Sequence, residues 1–374
     1  MKAIVMGSGK IGSVMARDFA ESVEGSEVVL ADMRGERAKI AASKVEGASW
    51  VALNTSDSQE LMKVFRGFDL VLGALPGDYG YRVLKAAVEA EVNVVDVSFT
   101  PENPLELDGV ARGAGITIIP DCGVAPGLSS ILVGYAASKL DHAREAHIMV
   151  GGIPETPVPP LGYTITWSAE GLIDEYVRDV RIVDDSRVVK VPALSGLEEI
   201  EFPGVGRLEA FYTDGLRTLV QSLPGVKSMW EKTLRYPGHV EKVKLLRELG
   251  FFDDEPVIVE GERVPPRLMT ARILERSLRK PDVGDLLAMT VEVGGEEAGY
   301  KYYILDRFDR EKGVTAMART TAYTASIVAG MLAEGTIDER GVVPPERLGM
   351  NEAITRGLLS ELMARGVKVE ESPL

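Results

Sequence analysis

The sequence predicts an α/β protein: a doubly wound parallel sheet comes first, then a second α+β domain carrying a mainly antiparallel or mixed sheet. Three observations predict it. The chain opens on a glycine-punctuated strand-to-helix turn, MKAIVMGSGKIG. Strand and helix patterns then alternate with little left over as far as residue 121. From about residue 143 that rhythm gives way to strand-like segments separated by long polar and proline-rich connections. At 374 residues the chain exceeds one ordinary core, so two domains are expected.

Residues 2–6 form an apolar run suited to a buried parallel strand, and Gly7, Gly9 and Gly12 follow at the spacing GxGxxG. Gly7 permits the tight turn, Gly9 lets a pyrophosphate approach the backbone, and Gly12 lets the new helix pack on the strand. Ser8, Lys10 and Ile11 complete the turn, and phosphates would sit on the N–H groups at the helix start. A helical pattern covers 11–22, a second strand 27–31, and Asp32 closes that strand 20 residues after Gly12. An acidic side chain there accepts hydrogen bonds from an adenosine ribose and repels a 2′-phosphate, so NAD is the expected dinucleotide, with Met33 alongside. Arg34 keeps NADP open, since a guanidinium can pair with a phosphate.

Strands follow at 49–53, 69–73, 93–97 and 115–120, with helices at 57–65 and 79–91, giving six strands in all. Ligands of such sheets lie beyond the carboxyl ends of the strands. This nominates Asn54, Thr55 and Ser56 near the adenine, Ala74, Leu75 and Pro76 along the ribose and pyrophosphate, and Val97 and Ser98 near the nicotinamide. DCGVAPG at 121–127 then leads into a helix over 128–139. In the second domain, strands are expected at 146–150, 180–183, 188–191 and 227–235, with a hairpin of 286–294 and 299–308. Arg319 opens a long apolar helical stretch and 351–365 forms a last helix. The expected division is 1–125 for dinucleotide binding, 126–317 for substrate binding and dimerisation, and 318–374 for helices returning to the first domain.

A net charge of −15 and a pI near 4.9 argue against a nucleic-acid partner, which needs a basic face. Cys122 is the one cysteine, so no intrachain disulfide or multi-thiolate zinc site can form, and no metal is expected. No apolar run approaches a membrane-spanning length and no signal-like flank opens the chain, so no membrane association and a cytoplasmic location are expected.

Longer stretches carry a more specific signal: IIPDCGVAPGLSSILVGY at 118–135, VGGIPETPVPPLGY at 150–163, SAEGLIDEY at 168–176, KTLRYPGHVEKVKLL at 232–246 and VTAMARTTAYTASIVA at 314–329. With them the whole chain resembles the saccharopine dehydrogenase superfamily. The resemblance implies a Rossmann domain completed by C-terminal helices, an inserted substrate domain and a homodimer. Its nearest branch implies NAD-dependent oxidative deamination of the ε-amine of L-lysine to 2-aminoadipate 6-semialdehyde, which cyclises to piperideine-6-carboxylate, with release of ammonia. The turn ALPGDYG at 74–80 is nearer the broader superfamily than a lysine-specific pattern. Saccharopine or a related amino-acid substrate is the alternative, and a non-catalytic NAD-binding regulator is the rival of a different class.

Hydride loss from an amine needs a neutral nitrogen, whose lone pair stabilises the iminium, yet an alkylammonium has a pKa of about 10.4. The site must therefore take up a proton and later position water. Asp96 and Asp121, at the ends of the fifth and sixth strands, are placed for this by topology, although either suits a turn cap. His239, one of three histidines, is the third catalytic candidate, with a packing role as its alternative. Arg235 and Arg319 are candidates for a substrate carboxylate, Glu170 for a second substrate amine at the start of a helix capped by Ser168, and Tyr163 for the pocket wall.

Overall fold

The computed structural model describes residues 1–165, 167–280 and 282–374. The chain divides into two compact units: Met1–Lys139 with Ala318–Val369, and Leu140–Met317 with Glu370–Leu374.

The first unit is wound from β1 (Lys2–Met6), α1 (Lys10–Ser22), β2 (Glu27–Asp32), α2 (Gly35–Ala42), β3 (Ser49–Ala52), α3 (Ser58–Phe65), β4 (Leu70–Gly73), α4 (Gly77–Ala90), β5 (Asn93–Asp96), α5 (Asp108–Gly113), β6 (Thr117–Ile119) and α6 (Leu128–Ser138). The central strands are buried apolar runs, as strands covered on both faces require. Later in the chain, the second unit contributes β7 (Glu145–Pro154), α7 (Ala169–Val177), β8 (Val180–Asp184), β9 (Arg187–Val191), β10 (Glu198–Phe202), β11 (Gly206–Tyr212), α8 (Leu219–Ser222), β12 (Ser228–Arg235), α9 (His239–Glu248), β13 (Val257–Val259), β14 (Glu262–Val264), α10 (Pro266–Leu278), β15 (Asp285–Gly294) and β16 (Gly299–Arg307). The chain ends with α11 (Ala316–Ala333), β17 (Gly341–Val342), α12 (Pro345–Gly349), α13 (Glu352–Ala364) and β18 (Glu370–Pro373).

All neighbours in the first sheet are parallel, in the order β17-β6-β5-β4-β1-β2-β3. The sheet thus has a seventh strand beyond the six expected. β17 is two residues long, too short for an apolar period to reveal, and its Val342 N–H is held by Asp108 at 2.9 Å. The order reverses between β1 and β4, which is where a doubly wound sheet opens its ligand crevice.

The units divide at 139/140, whereas the sequence reading draws the line at 125/126. The reason is α6: Leu128 through Ala136 are buried, and the helix meets α12 backbone to backbone. A methyl at Gly134 would overlap the Glu346 carbonyl, and one at Gly349 would overlap the Ile131 carbonyl. Helix α11 starts at Ala316 rather than Arg319 because Asp285 caps it, accepting from the Ala316 and Met317 N–H groups at 2.8 and 3.1 Å. Residues 370–374 join the second unit, where β18 pairs with β16.

The second unit holds a nine-stranded mixed sheet. Its spine runs β10-β11-β12-β7-β15-β16-β18, with β8 on β12 and β9 on β8. Among the described residues only β12 and β7 run parallel in it; the expected hairpin of β15 and β16 spans nine register pairs. A core including Tyr163, Tyr176, Phe202 and Phe211 packs on this sheet.

Candidate active site

The first unit builds a cradle at its switch point. Gly7 has φ +98°, a conformation open to glycine, and a methyl there would lie 2.5 Å from the Ala74 carbonyl oxygen. At Gly12 a methyl would overlap the Gly7 carbonyl, so α1 rests directly on the turn. Gly9 caps α1 with no side-chain hydrogen bond, leaving that helix start suited to an anion. These close backbone approaches fit a dinucleotide's pyrophosphate.

Asp32 organises the cradle rather than waiting beside it. Its carboxylate accepts the Ser8 N–H at 3.1 Å and the Arg34 N–H at 2.9 Å. Arg37, which the sequence reading passed over, donates from Nε to the Ser8 carbonyl at 3.2 Å and stands 3.9 Å from Asp32. The signal for it was present: a basic residue in the helix directly after Asp32. Met33 is exposed, Asn54 accepts the Ser56 N–H at 3.0 Å across Thr55, and Pro76 caps α4 beyond the half-buried Ala74 and Leu75.

Two carboxylates lie where β5 and β6 end. Asp96 is buried and accepts from both the N–H and the hydroxyl of Ser98, at 2.7 and 3.1 Å. Burial raises its pKa to about 7 against those hydrogen bonds, and the charge of nearby Asp121 adds to the rise. A methyl at Gly73 would overlap the Asp96 carboxylate, so β4 makes room for it. Val97 donates its N–H to the Gly73 carbonyl at 3.0 Å. Asp121 is buried with φ +52°, and the Cys122 N–H closes the turn onto the Asp96 carbonyl at 2.8 Å. The Cys122 thiol is itself buried and pushed up by burial, a packing role rather than a nucleophile's.

The remaining candidates receive different jobs. Arg235, in the second unit, is buried and gives Nη2 to both Glu175 oxygens at 3.0 and 3.1 Å, while its guanidinium stacks on the Tyr163 ring. In this structure its guanidinium is held in a buried ion pair with Glu175. Both ring nitrogens of His239 have partners: Nδ1 meets the Leu161 carbonyl at 2.9 Å and Nε2 the Tyr176 hydroxyl at 2.8 Å. Burial first, then Arg235, lowers its pKa to about 3, which favours the neutral ring. Tyr163 is buried against both residues. Ser168 does cap α7, accepting the Gly171 N–H at 3.2 Å; Glu170 is exposed, beside the Ser168 hydroxyl and 3.7 Å from Arg272. In the first unit, Arg319 donates to the Arg365 carbonyl at 3.1 Å, a tie between α11 and the end of α13.

Comparison with known proteins places this architecture. Residues 3–119 match the model of the saccharopine dehydrogenase NADP binding domain, and residues 123–367 match that of the saccharopine dehydrogenase C-terminal domain. The chain belongs to the saccharopine dehydrogenase family. A saccharopine dehydrogenase [NADP(+), L-glutamate-forming] of Pyricularia oryzae is 27% identical over 288 residues, 73% of this chain and 63% of that protein. The match therefore spans less than two thirds of that relative. A carboxyaminopropylagmatine dehydrogenase of Synechocystis is 22% identical over 93% of this chain and 92% of its own length. Apo saccharopine dehydrogenase (L-Glu forming) from Saccharomyces cerevisiae shares the fold with a TM-score of 0.82, at 19% identity, over 100% of this chain and 99% of that one. Family membership makes the first unit an NAD(P)-binding domain, consistent with the glycine cradle. Among the described residues no group of three or more His, Cys, Asp or Glu side chains could hold a metal, and no helix is long and apolar enough to cross a membrane.

Proposed function

We propose that this chain is an NAD(P)-dependent dehydrogenase that oxidises a carbon–nitrogen bond in an amino-acid-like amine. The observation that carries the reading is the Asp96–Asp121 carboxylate pair at the strand ends of a sheet whose switch point bears a dinucleotide cradle. When bound, the dinucleotide supplies the hydride acceptor. The chain's part is proton management: Asp96, titrating near neutrality, takes the proton that frees the substrate nitrogen's lone pair and afterwards holds water for attack on the iminium carbon. Breaking the carbon–nitrogen bond then returns an amine and a carbonyl.

The relatives named above favour a saccharopine-type secondary amine, while the sequence resemblance points to the ε-amine of L-lysine. The products separate them. With saccharopine, hydrolysis of the imine releases an amino acid such as L-glutamate; with lysine, it releases ammonia. NAD remains the preferred dinucleotide in this proposal because of Asp32, with Arg34 and Arg37 as the groups that a 2′-phosphate would use.

The deciding assay incubates the full chain with NAD or NADP and with saccharopine or L-lysine, following reduced nicotinamide, glutamate and ammonia together. Amine-dependent reduction is expected. Tight dinucleotide binding with no reduction on either substrate over a broad pH range would overturn the proposal in favour of a non-catalytic regulator.

A further inference from the structure

Asp96 is held on both carboxyl oxygens by a single neighbour. The Ser98 N–H donates to Oδ1 at 2.7 Å and the Ser98 hydroxyl to Oδ2 at 3.1 Å; no other hydrogen bond reaches the carboxyl among the described residues. Both side chains are buried. Two glycines let the pair sit where it does. A methyl at Gly73 of β4 would overlap the Asp96 carboxylate, and one at Gly80 of α4 would lie 2.4 Å from the Ser98 Cβ and 2.8 Å from its hydroxyl oxygen. Neither glycine has a left-handed backbone, and glycine inside a helix weakens it, so close approach to Ser98 is what Gly80 provides.

The two oxygens of Asp96 are not equivalent. Oδ1 faces a backbone N–H, which is a donor whatever the ionisation of the carboxyl. Oδ2 faces a hydroxyl, which donates or accepts according to its rotation about the C–O bond. A proton arriving at Oδ1 lies against a fixed donor, whereas one arriving at Oδ2 finds an acceptor as soon as the hydroxyl turns. We infer that Ser98 is the positioning residue for Asp96: its hydroxyl gives a hydrogen to Oδ2 while the carboxylate is charged and receives one from Oδ2 once the proton has arrived, making Oδ2 the oxygen that takes it up.

Resting on the reading of Asp96 as the base, this gives Ser98 control over the pH range in which the substrate amine is deprotonated. A hydrogen bond to a charged carboxylate is stronger than one from its neutral acid, so Ser98 keeps Asp96 from rising as far as burial alone would take it. The titratable groups that bear on the carboxyl from the turn after β6 are Asp121, whose charge opposes ionisation, and Cys122, whose thiol is itself pushed up by burial. From β4 and α4 the pair is faced by Gly73 and Gly80.

The test is carbon-13 NMR of the full chain labelled at the aspartate side-chain carboxyls, with the Asp96 resonance assigned by its loss in Asp96→Asn. Its titration midpoint should move up by about one pH unit in Ser98→Ala and by less in Ser98→Cys, whose thiol is a weak donor. In the amine-dependent assay the low-pH limb of kcat/KM should follow the same order. Ser98→Ala should then be about tenfold below wild type at pH 6 and within about threefold of it at pH 9, a recovery that mere loss of packing would not give. One midpoint shared by the wild-type, alanine and cysteine chains overturns the assignment. Shifted midpoints without a matching limb, or in a chain that reduces neither dinucleotide, leave Ser98 in control of the carboxyl and overturn instead the reading of Asp96 as the base.

Discussion

Asp96 feels two opposing influences. Two donors from Ser98 favour its charged form, yet burial and the Asp121 charge prevail and hold it near neutrality. A base with that pKa works where amine oxidation must also shed a proton, so kcat/KM should rise with pH through about 7. Asp96→Asn is expected to lower kcat by about a hundredfold or more and to abolish that limb, with dinucleotide affinity preserved by fluorescence titration. Activity within a few-fold of wild type would remove Asp96 from the chemistry. Arg37 bears on the choice between the two dinucleotides. Its Nε already braces the Ser8 carbonyl, and its half-exposed guanidinium is the cation nearest Asp32. Arg37→Ala should weaken NADP about tenfold more than NAD, because only NADP brings a 2′-phosphate to that corner. Equal losses for the two dinucleotides would confine Arg37 to the pyrophosphate turn.

At the scale of elements, the last two helices are tied to the first by one side chain. Arg365, at the end of α13, gives Nε to Asp18 of α1 at 2.7 Å, Nη2 to Ser22 at 2.6 Å and Nη1 to Glu361 at 2.6 Å; Ser326 of α11 also donates to Asp18. Removing the guanidinium leaves a largely buried carboxylate with that hydroxyl alone, so Arg365→Ala should cost about 3 kcal/mol in urea unfolding. The exposed pair of Arg356 and Glu352 provides the control, and Arg356→Ala should leave the urea midpoint close to that of wild type. Equal costs would mean that the tie is no better than a surface contact. The sequence made the first six strands of the first sheet legible because they are short, mostly apolar runs between turn residues. It concealed β10, whose EEIEF carries three glutamates, and β17, which is only a dipeptide. It also gave no sign of the packing around Arg235 and His239. Their types suggest chemistry, but the partners that hold them in this structure, Glu175, Tyr176 and Leu161, lie far away along the chain. The glycine cradle was readable since its constraint is local; Arg37 was missed because its role depends on a side chain folding back over the turn.

Across the whole molecule, the pH dependence of stability should carry the signature of carboxyls held protonated in the native state. Glu231 on β12 is buried, its Oε2 has no hydrogen-bond partner among the described residues, and a methyl at Gly215 would overlap its carboxyl. Burial, with Asp214 and Glu175 adding negative potential, raises its pKa from the ordinary 4.5 to about 8. The sign follows from the two states: below pH 4.5 both are protonated and nothing is lost. As pH rises from there the unfolded chain ionises freely while the native carboxyl must stay neutral, so stability falls until about pH 8, where the native group ionises too. The accumulated loss is on the order of 5 kcal/mol. Asp96 adds a parallel loss in the other unit between its ordinary 3.8 and about 7. A net charge of −15 also opposes compactness at high pH, but salt screens surface repulsion over a Debye length of about 10 Å at 0.1 M and barely reaches a buried carboxyl. Urea unfolding at pH 5 and pH 9, at low and high salt, therefore separates the two sources. Glu231→Gln keeps the shape and removes the titration, so it should lose less stability than wild type between those pH values, by a few kcal/mol and at either salt concentration. Parallel losses in the two proteins would show that Glu231 ionises as readily in the native chain as in the unfolded one.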